Sequence, residues 1–287
     1  MPTMNDELVL DALYCLFKGE PATRKSTAAL SFPKPQYWFS YDRKMRNILL
    51  PMMKWNIPLN QVTYKDYWDW SAAEQQLKRF RDNGCPYKSL VVDSITSLGD
   101  SIMDQTKRLK QGQTRRSGAS AGRHIGGISV NELEDFNAES SAIADMLSIL
   151  KDIHEQQRIN VILIAHVIQT EMKSENGETN FSRTIVTAAK KVAKKIPAYC
   201  EETYHFNIDR GFDTKSEGSY AILTQNTGDD FANTGLPLDR KIVFNDNPLY
   251  EMYIVPAMQK LRAMKETASN LPQPEPTQQL IQTSANW

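Results

Sequence analysis

Histidine and cysteine are scarce in this chain, and neither sign of charge is in excess. Four histidines and three cysteines (Cys15, Cys85 and Cys200) are scattered through 287 residues without metal-ligand spacing, so no zinc site is indicated. Dispersed and odd in number, the cysteines read as reduced thiols, which suits a cytoplasmic protein. The 34 basic and 34 acidic residues cancel. Overall charge is therefore silent about nucleic acid, and only its local distribution can speak. No apolar run approaches the roughly 18 residues of a membrane span. Residues 1–7 are polar and acidic, unlike a secretory leader. A cytoplasmic location with no membrane partner is expected. What remains, 40% hydrophobic and 24% charged, suits a globular chain able to bury a full core.

The most informative stretch is Gly19-Glu20-Pro21-Ala22-Thr23-Arg24-Lys25-Ser26. It fits the phosphate-loop pattern G-x-x-x-x-G-K-[ST], except that Arg24 stands where the second glycine belongs. Residues 9–18, a largely apolar run just before it, read as a strand, and Lys25-Ser26-Thr27-Ala28-Ala29-Leu30 as the helix after it. The ligand expected of Gly19 through Thr27 is ATP with Mg2+. Main-chain amides of residues 20–26 would cradle the phosphates. Lys25 would bridge the β- and γ-phosphates, and the Ser26 hydroxyl would take Mg2+. Glycine at 24 would let the backbone approach a phosphate without a Cβ. Three readings of Arg24 stand: it points away, it adds a phosphate contact, or it crowds the site and slows turnover.

Other strands are legible by composition. Residues 36–41 lead to Asp42, residues 60–64 form a short run, residues 88–92 lead to Asp93, and residues 161–165 lead to His166. Helices are expected from a capping box at Ser71-Ala-Ala-Glu74, over residues 131–157 from their helical spacing, and over residues 187–196, closed by Pro197. Late strands fall at residues 203–208 and 220–224. This alternation implies a mostly parallel central sheet flanked by helices, an α/β fold with late antiparallel strands. In such sheets ligands bind beyond the carboxyl ends of the strands, where Gly19, Asp42, Asp93 and His166 would converge. Asp93 would hold Mg2+, Asp42 would orient the attacking water, and His166 would sense the γ-phosphate. Against these roles, a strand-end aspartate also serves as a turn residue.

Residues 105–130 contain no acid but hold Lys107, Arg108, Lys110, Arg115, Arg116 and Arg123 with five glycines. Such a basic loop insert suits phosphate-backbone contact, and equally a solvated insert. Lys190, Lys191, Lys194 and Lys195 would crowd one helix, where they would touch DNA, reach a neighbouring subunit's γ-phosphate, or form a solvated face. Tyr64, Tyr67, Trp68 and Trp70 offer either a base-stacking platform or packing. Residues 1–262 form the expected core, and residues 263–287, rich in Pro, Gln, Ser and Thr, the expected flexible tail.

With these residues in view, the chain resembles the RecA-like P-loop ATPases. Leu90-Val-Val-Asp-Ser-Ile-Thr-Ser-Leu98 is similar to their Walker B segment. Phe39-Ser-Tyr-Asp42 lies where they carry a catalytic glutamate. The segment ending in His166-Val167 resembles the sensor strand of the RadA/Sms branch. Gly19-Glu20-Pro21, Ser31-Phe32-Pro33-Lys34-Pro35 and Thr227-Gly228-Asp229 are similar to the core-only phage ATPases of the Sak group, which are AAA or nucleotide-binding proteins. The resemblance covers roughly residues 8–245. It implies a RecA-like core that hydrolyses ATP on single-stranded DNA, as a ring or filament, in phage recombination or replication, beside single-strand-binding or annealing proteins. It also assigns residues 105–130 the position of the first DNA loop and residues 170–184 that of the second, although Glu171, Glu175 and Glu178 suit the second poorly. The alternative is a nucleotide-dependent DNA-binding or annealing module with little turnover. A small-molecule kinase, with residues 105–130 as its lid, is a further one.

Overall fold

The computed structural model describes residues 12–112, 124–125, 128–129, 133–173, 179–187, 190–209, 218–227, 231–245 and 247–269. Among the described residues, eleven strands and seven α-helices run in the order β1 (Tyr14–Gly19), α1 (Lys25–Leu30), β2 (Gln36–Ser40), α2 (Leu49–Lys54), β3 (Val62–Asp66), α3 (Trp70–Asn83), β4 (Ser89–Asp93), α4 (Ile95–Gly112), β5 (His124–Ile125), β6 (Ile128–Ser129), α5 (Leu133–Gln157), β7 (Asn160–Lys173), β8 (Thr179–Ile185), α6 (Lys190–Ala193), β9 (Glu202–Asp209), β10 (Ser219–Leu223), β11 (Lys241–Val243) and α7 (Val255–Ser269).

The main sheet has nine strands in the order β11-β10-β9-β1-β7-β4-β2-β3, with β8 paired to β7. From β9 to β3 every pairing is parallel, while β10, β11 and β8 join antiparallel. Strands β1, β2 and β4 are almost wholly buried because both faces of the sheet are covered, and their unbroken apolar runs follow from that. Alternate residues of β1 supply two cores. Tyr14 and Leu16 meet α3, α4 and α5 through Leu77, Leu98, Leu147 and Leu150. Cys15 and Phe17 share a core with α1, α2 and α7 through Leu30, Met52 and Met258. Each such buried side chain contributes about 1.5–3 kcal/mol relative to exposure.

Several boundaries differ from the pattern in the sequence. Helix α3 starts at Trp70 and is capped by Asp69, whose side chain accepts from the Ala72 N–H. Ser71 therefore lies inside the helix rather than capping it, and its hydroxyl accepts from Gln105. Strand β7 does not end at His166. It runs on to Lys173 because, beyond the parallel sheet, β8 takes over its hydrogen bonds in a ribbon from Val167↔Ile185 to Lys173↔Thr179. The second DNA-loop candidate is thus largely two strand arms, and its residues 174–178 lie outside the described residues.

Of the helix expected over residues 187–196, Lys190–Ala193 is helical among the described residues, and a 3-10 turn from Ile196 to Tyr199 that includes Pro197 follows. Lys190 and Lys191 fall within those four residues, whereas Lys194 and Lys195 lie beyond them, so the four lysines are not all on one helix. Lys194 and Lys195 lie on the exposed connection, while nothing is described of the other two side chains. Residues 105–112, read as loop, form the last turns of α4. Residues 263–269, read as tail, are helical, and residues 270–287 lie outside the described residues.

Candidate nucleotide site

The site is built on the carboxyl edge of the parallel strands. Pairing aligns Gly19 with His166, Asp93 with Ile164, and Ser40 with Asp93. Strand β7 thus lies between the strand that feeds the phosphate loop and the strand that ends in Asp93. Gly19 is required there by close approach, since a Cβ at this position would collide with the Phe206 carbonyl oxygen.

The loop turns through two non-glycine residues in the left-handed region, Ala22 and Arg24, both at φ 64°. Arg24 thus has the backbone shape for which the pattern prefers glycine. Its guanidinium lies over the Tyr220 ring of β10, 4.4 Å from the centroid. Of the three readings of Arg24, this geometry favours the one in which the side chain points away from the phosphates, here onto the ring of a neighbouring strand. Lys25 is buried, and its ammonium donates to the carbonyls of Gly19 (2.9 Å) and Glu20 (2.7 Å) and to Thr23 Oγ1 (3.2 Å). Burial lowers its pKa to about 8 against the opposing pull of Asp93, Asp42 and Glu20.

Residues 21–27 line a pocket of about 520 Å3 together with Asp42, Asp93, His166 and Tyr220. The Ser26 hydroxyl donates to Asp93 Oδ2 at 2.8 Å. Burial and the charge of Asp42 push the Asp93 carboxyl up to about 6, although the Ser26 hydrogen bond works the other way. Burial would also raise Asp42, but hydrogen bonds from His166, Ser97 and Ser94 outweigh it and hold this carboxyl well below the usual range. His166 Nε2 lies 3.2 Å from Asp42 Oδ2, and the His166 backbone N–H is held by Thr96 Oγ1 at 3.1 Å.

Lys25, Ser26, Asp42, Asp93 and His166 are therefore brought together, and all five line this pocket. Ser94, Thr96, Ser97 and Tyr220 support the site and had no role assigned from sequence. The hydroxyl-rich run 94–97 after Asp93 was the available signal. The far wall of the pocket comes from Asn47, Leu50, Lys54 and Trp55, residues without a motif.

The aromatic quartet is split. Tyr67 is buried with its hydroxyl on Tyr37, and Trp70 packs against the core. Tyr64 and Trp68 are exposed, and Trp68 carries the Arg43 guanidinium over its ring at 3.5 Å. No platform of four forms. Of the basic stretch, Lys107 and Arg108 lie on α4 and Arg108 lines a cleft beside Asp42; nothing is described of the Lys110 side chain, and Arg115, Arg116 and Arg123 lie outside the described residues.

Among the described residues no group of three His, Cys, Asp or Glu side chains converges to hold a metal, and no helix is long and apolar enough to cross a membrane. Ser26 and Asp93 are a pair of hard oxygen donors. That set fits Mg2+, which is commonly held by one or two protein oxygens and completed by substrate phosphates.

A phosphate loop ending its strand, an aspartate facing the loop's serine, and polar strand ends around one pocket define a P-loop nucleotide-binding protein. The AAA domain family matches residues 13–232, and the chain belongs to it. A solved structure, that of the RadB recombinase, is similar at 14% identity over 82% of this chain and 89% of that one, with a TM-score of 0.44. No curated protein sequence matches the chain.

Proposed function

We propose that the protein is a Mg2+-dependent ATPase that acts on single-stranded DNA in recombination or replication, in the cytoplasm. The observation that carries the reading is the Lys25, Ser26–Asp93 and Asp42–His166 constellation around one pocket. Lys25 meets the β- and γ-phosphates and offsets charge gathered during transfer. Loop residues 20–26 hold the phosphates through their amides. Ser26 and Asp93 hold the ion, which supplies charge neutralisation at the phosphates. Asp42 orients water for in-line attack, and His166, on the same carboxylate, registers the γ-phosphate. Positioning and electrostatics supply most of the rate.

The DNA part rests on the acid-free basic stretch that begins in the last turns of α4 with Lys107 and Arg108. Contact there would be to phosphates and would weaken with salt. Assembly as a ring or filament, a role for lysines 190–195 toward a neighbour, and a phage origin beside annealing proteins follow only from the resemblance in the sequence.

Phosphate release from ATP, with and without single-stranded DNA, tests the reading in wild type and Lys25→Ala. DNA-stimulated release that vanishes in the variant is the expected result. ATP binding without release in wild type would leave the non-hydrolysing module instead, and release only with a small acceptor would point to a kinase.

A further inference from the structure

We infer that Ser94 and Ser97 are positioning residues for turnover, clamping one oxygen of Asp42 so that the other is presented beside His166. The inference rests on the hydrolysis reading above and adds to it the device that aims the water-orienting carboxylate. Asp42 Oδ1 accepts from the Ser94 hydroxyl at 2.8 Å and from the Ser97 hydroxyl in a shorter contact. Asp42 Oδ2 is left to His166 Nε2 at 3.2 Å.

The proton inventory supports this division. Ser94 Oγ accepts the Ser97 N–H at 3.2 Å and so caps the start of α4. Its single proton has two acceptors in reach, Asp42 Oδ1 at 2.8 Å and Ser97 Oγ at 3.4 Å, and the shorter, charge-assisted bond to Asp42 is the stronger. Ser97 lies one helical turn on, so its hydroxyl returns to the same carboxylate oxygen. Both hydroxyls are donors to an anion at a helix N-terminus, where negative charge is favoured.

The cavities agree. Asp42 lines both the pocket of about 520 Å3 and a second cleft of about 280 Å3. His166 lines only the first, and Ser97 only the second. The carboxylate is thus a partition, held from behind by serine and met in front by histidine. Its side chain is only 9% exposed. With one methylene fewer than glutamate, it has less reach with which to correct a wrong rotamer.

Ser97 separates aiming from capping, because its backbone N–H makes the cap bond and its hydroxyl makes the clamp. The test measures phosphate release and, separately, calorimetric affinity for MgATP in wild type, Ser97→Ala and Ser97→Thr. Ser97→Ala should lower kcat by about tenfold while KM and affinity stay within about twofold, and threonine should restore kcat. Ser97→Cys, close in size but a weak donor, should behave like the alanine variant. Unchanged kcat in the alanine and cysteine variants, an equal loss of nucleotide affinity, or failure of threonine to restore turnover overturns the clamp. A wild type that binds MgATP without releasing phosphate overturns the hydrolysis reading first and the clamp with it, which keeps the two failures distinct.

Discussion

Replacing Arg24 by glycine restores the letter that the phosphate-loop pattern calls for, and the structure predicts that little stability changes. Arg24 sits at φ 64° and ψ 26°. A side chain in that left-handed conformation costs roughly 1–2 kcal/mol, which glycine recovers. Against this, glycine gives up the stack on Tyr220, about 0.5–1 kcal/mol for a partly exposed cation over a ring. It also frees the unfolded chain by a further amount of about 0.5–1 kcal/mol. The terms nearly cancel, leaving a net change within about 1 kcal/mol of zero. Nucleotide affinity should hold as well, because the guanidinium is engaged with Tyr220. Loss of a charge-assisted phosphate contact would instead cost about 1.5–3 kcal/mol, or roughly tenfold to a hundredfold in affinity. Urea unfolding measures the first quantity and calorimetric titration with MgATP the second. A stability loss beyond about 2 kcal/mol, or an affinity loss beyond about tenfold, would refute the view that Arg24 occupies a glycine's backbone slot with its side chain turned onto β10.

Three further predictions concern the scaffold. Asp69→Ala should destabilise by about 1 kcal/mol through loss of the α3 cap, whereas Ser71→Ala should change little; chemical denaturation that ranks the two the other way would return the cap to the serine. Phe17→Ala should cost about 3–5 kcal/mol, since Phe17 is fully buried against Phe32, Tyr204 and Phe206, and a loss under about 1 kcal/mol would contradict that packing. The third concerns pH. Burial opposes the charge on His154, but its bonds to Glu201 and the Ile159 carbonyl raise its pKa overall above 6.5. Burial likewise opposes the charge on Glu201, but His154 and the Tyr14 N–H lower its pKa overall below 4.5. The histidine's contribution is full below pH 6.5 and fades as pH rises through its folded value, and the glutamate's is full above pH 4.5 and fades as pH falls through its own. The gap in melting temperature between wild type and Glu201→Gln should therefore be widest between pH 4.5 and 6.5 and narrow at alkaline pH, and a gap independent of pH would discount the pair.

The buried parallel strands were legible because both of their faces are covered, so residues 14–17, 90–92 and 161–165 are continuous apolar runs that need no neighbour to be recognised. The second half of β7 was not. Residues 167–173 mix polar and apolar side chains, and their strand exists only because β8 lies beside it. The α3 cap was misread for a related reason. Ser71 and Asp69 both match a capping residue, and only the backbone trajectory decides between them, extended at Asp69 and helical at Ser71.

By itself the sequence determined the phosphate loop, the strand before it and the helix after it, together with the acidic and histidine strand ends. These are signals local enough to survive without coordinates, being a spacing of residue types and a run of apolar side chains. Only the tertiary structure decided what those groups do to one another. It paired Gly19 with His166 across 147 positions of chain, turned Arg24 onto a tyrosine from a strand nearly 200 residues later, and set two serines behind Asp42. Hydrogen bonds and stacking act over a few ångströms of space, and distance along the chain carries no record of which remote residues will fall within that range.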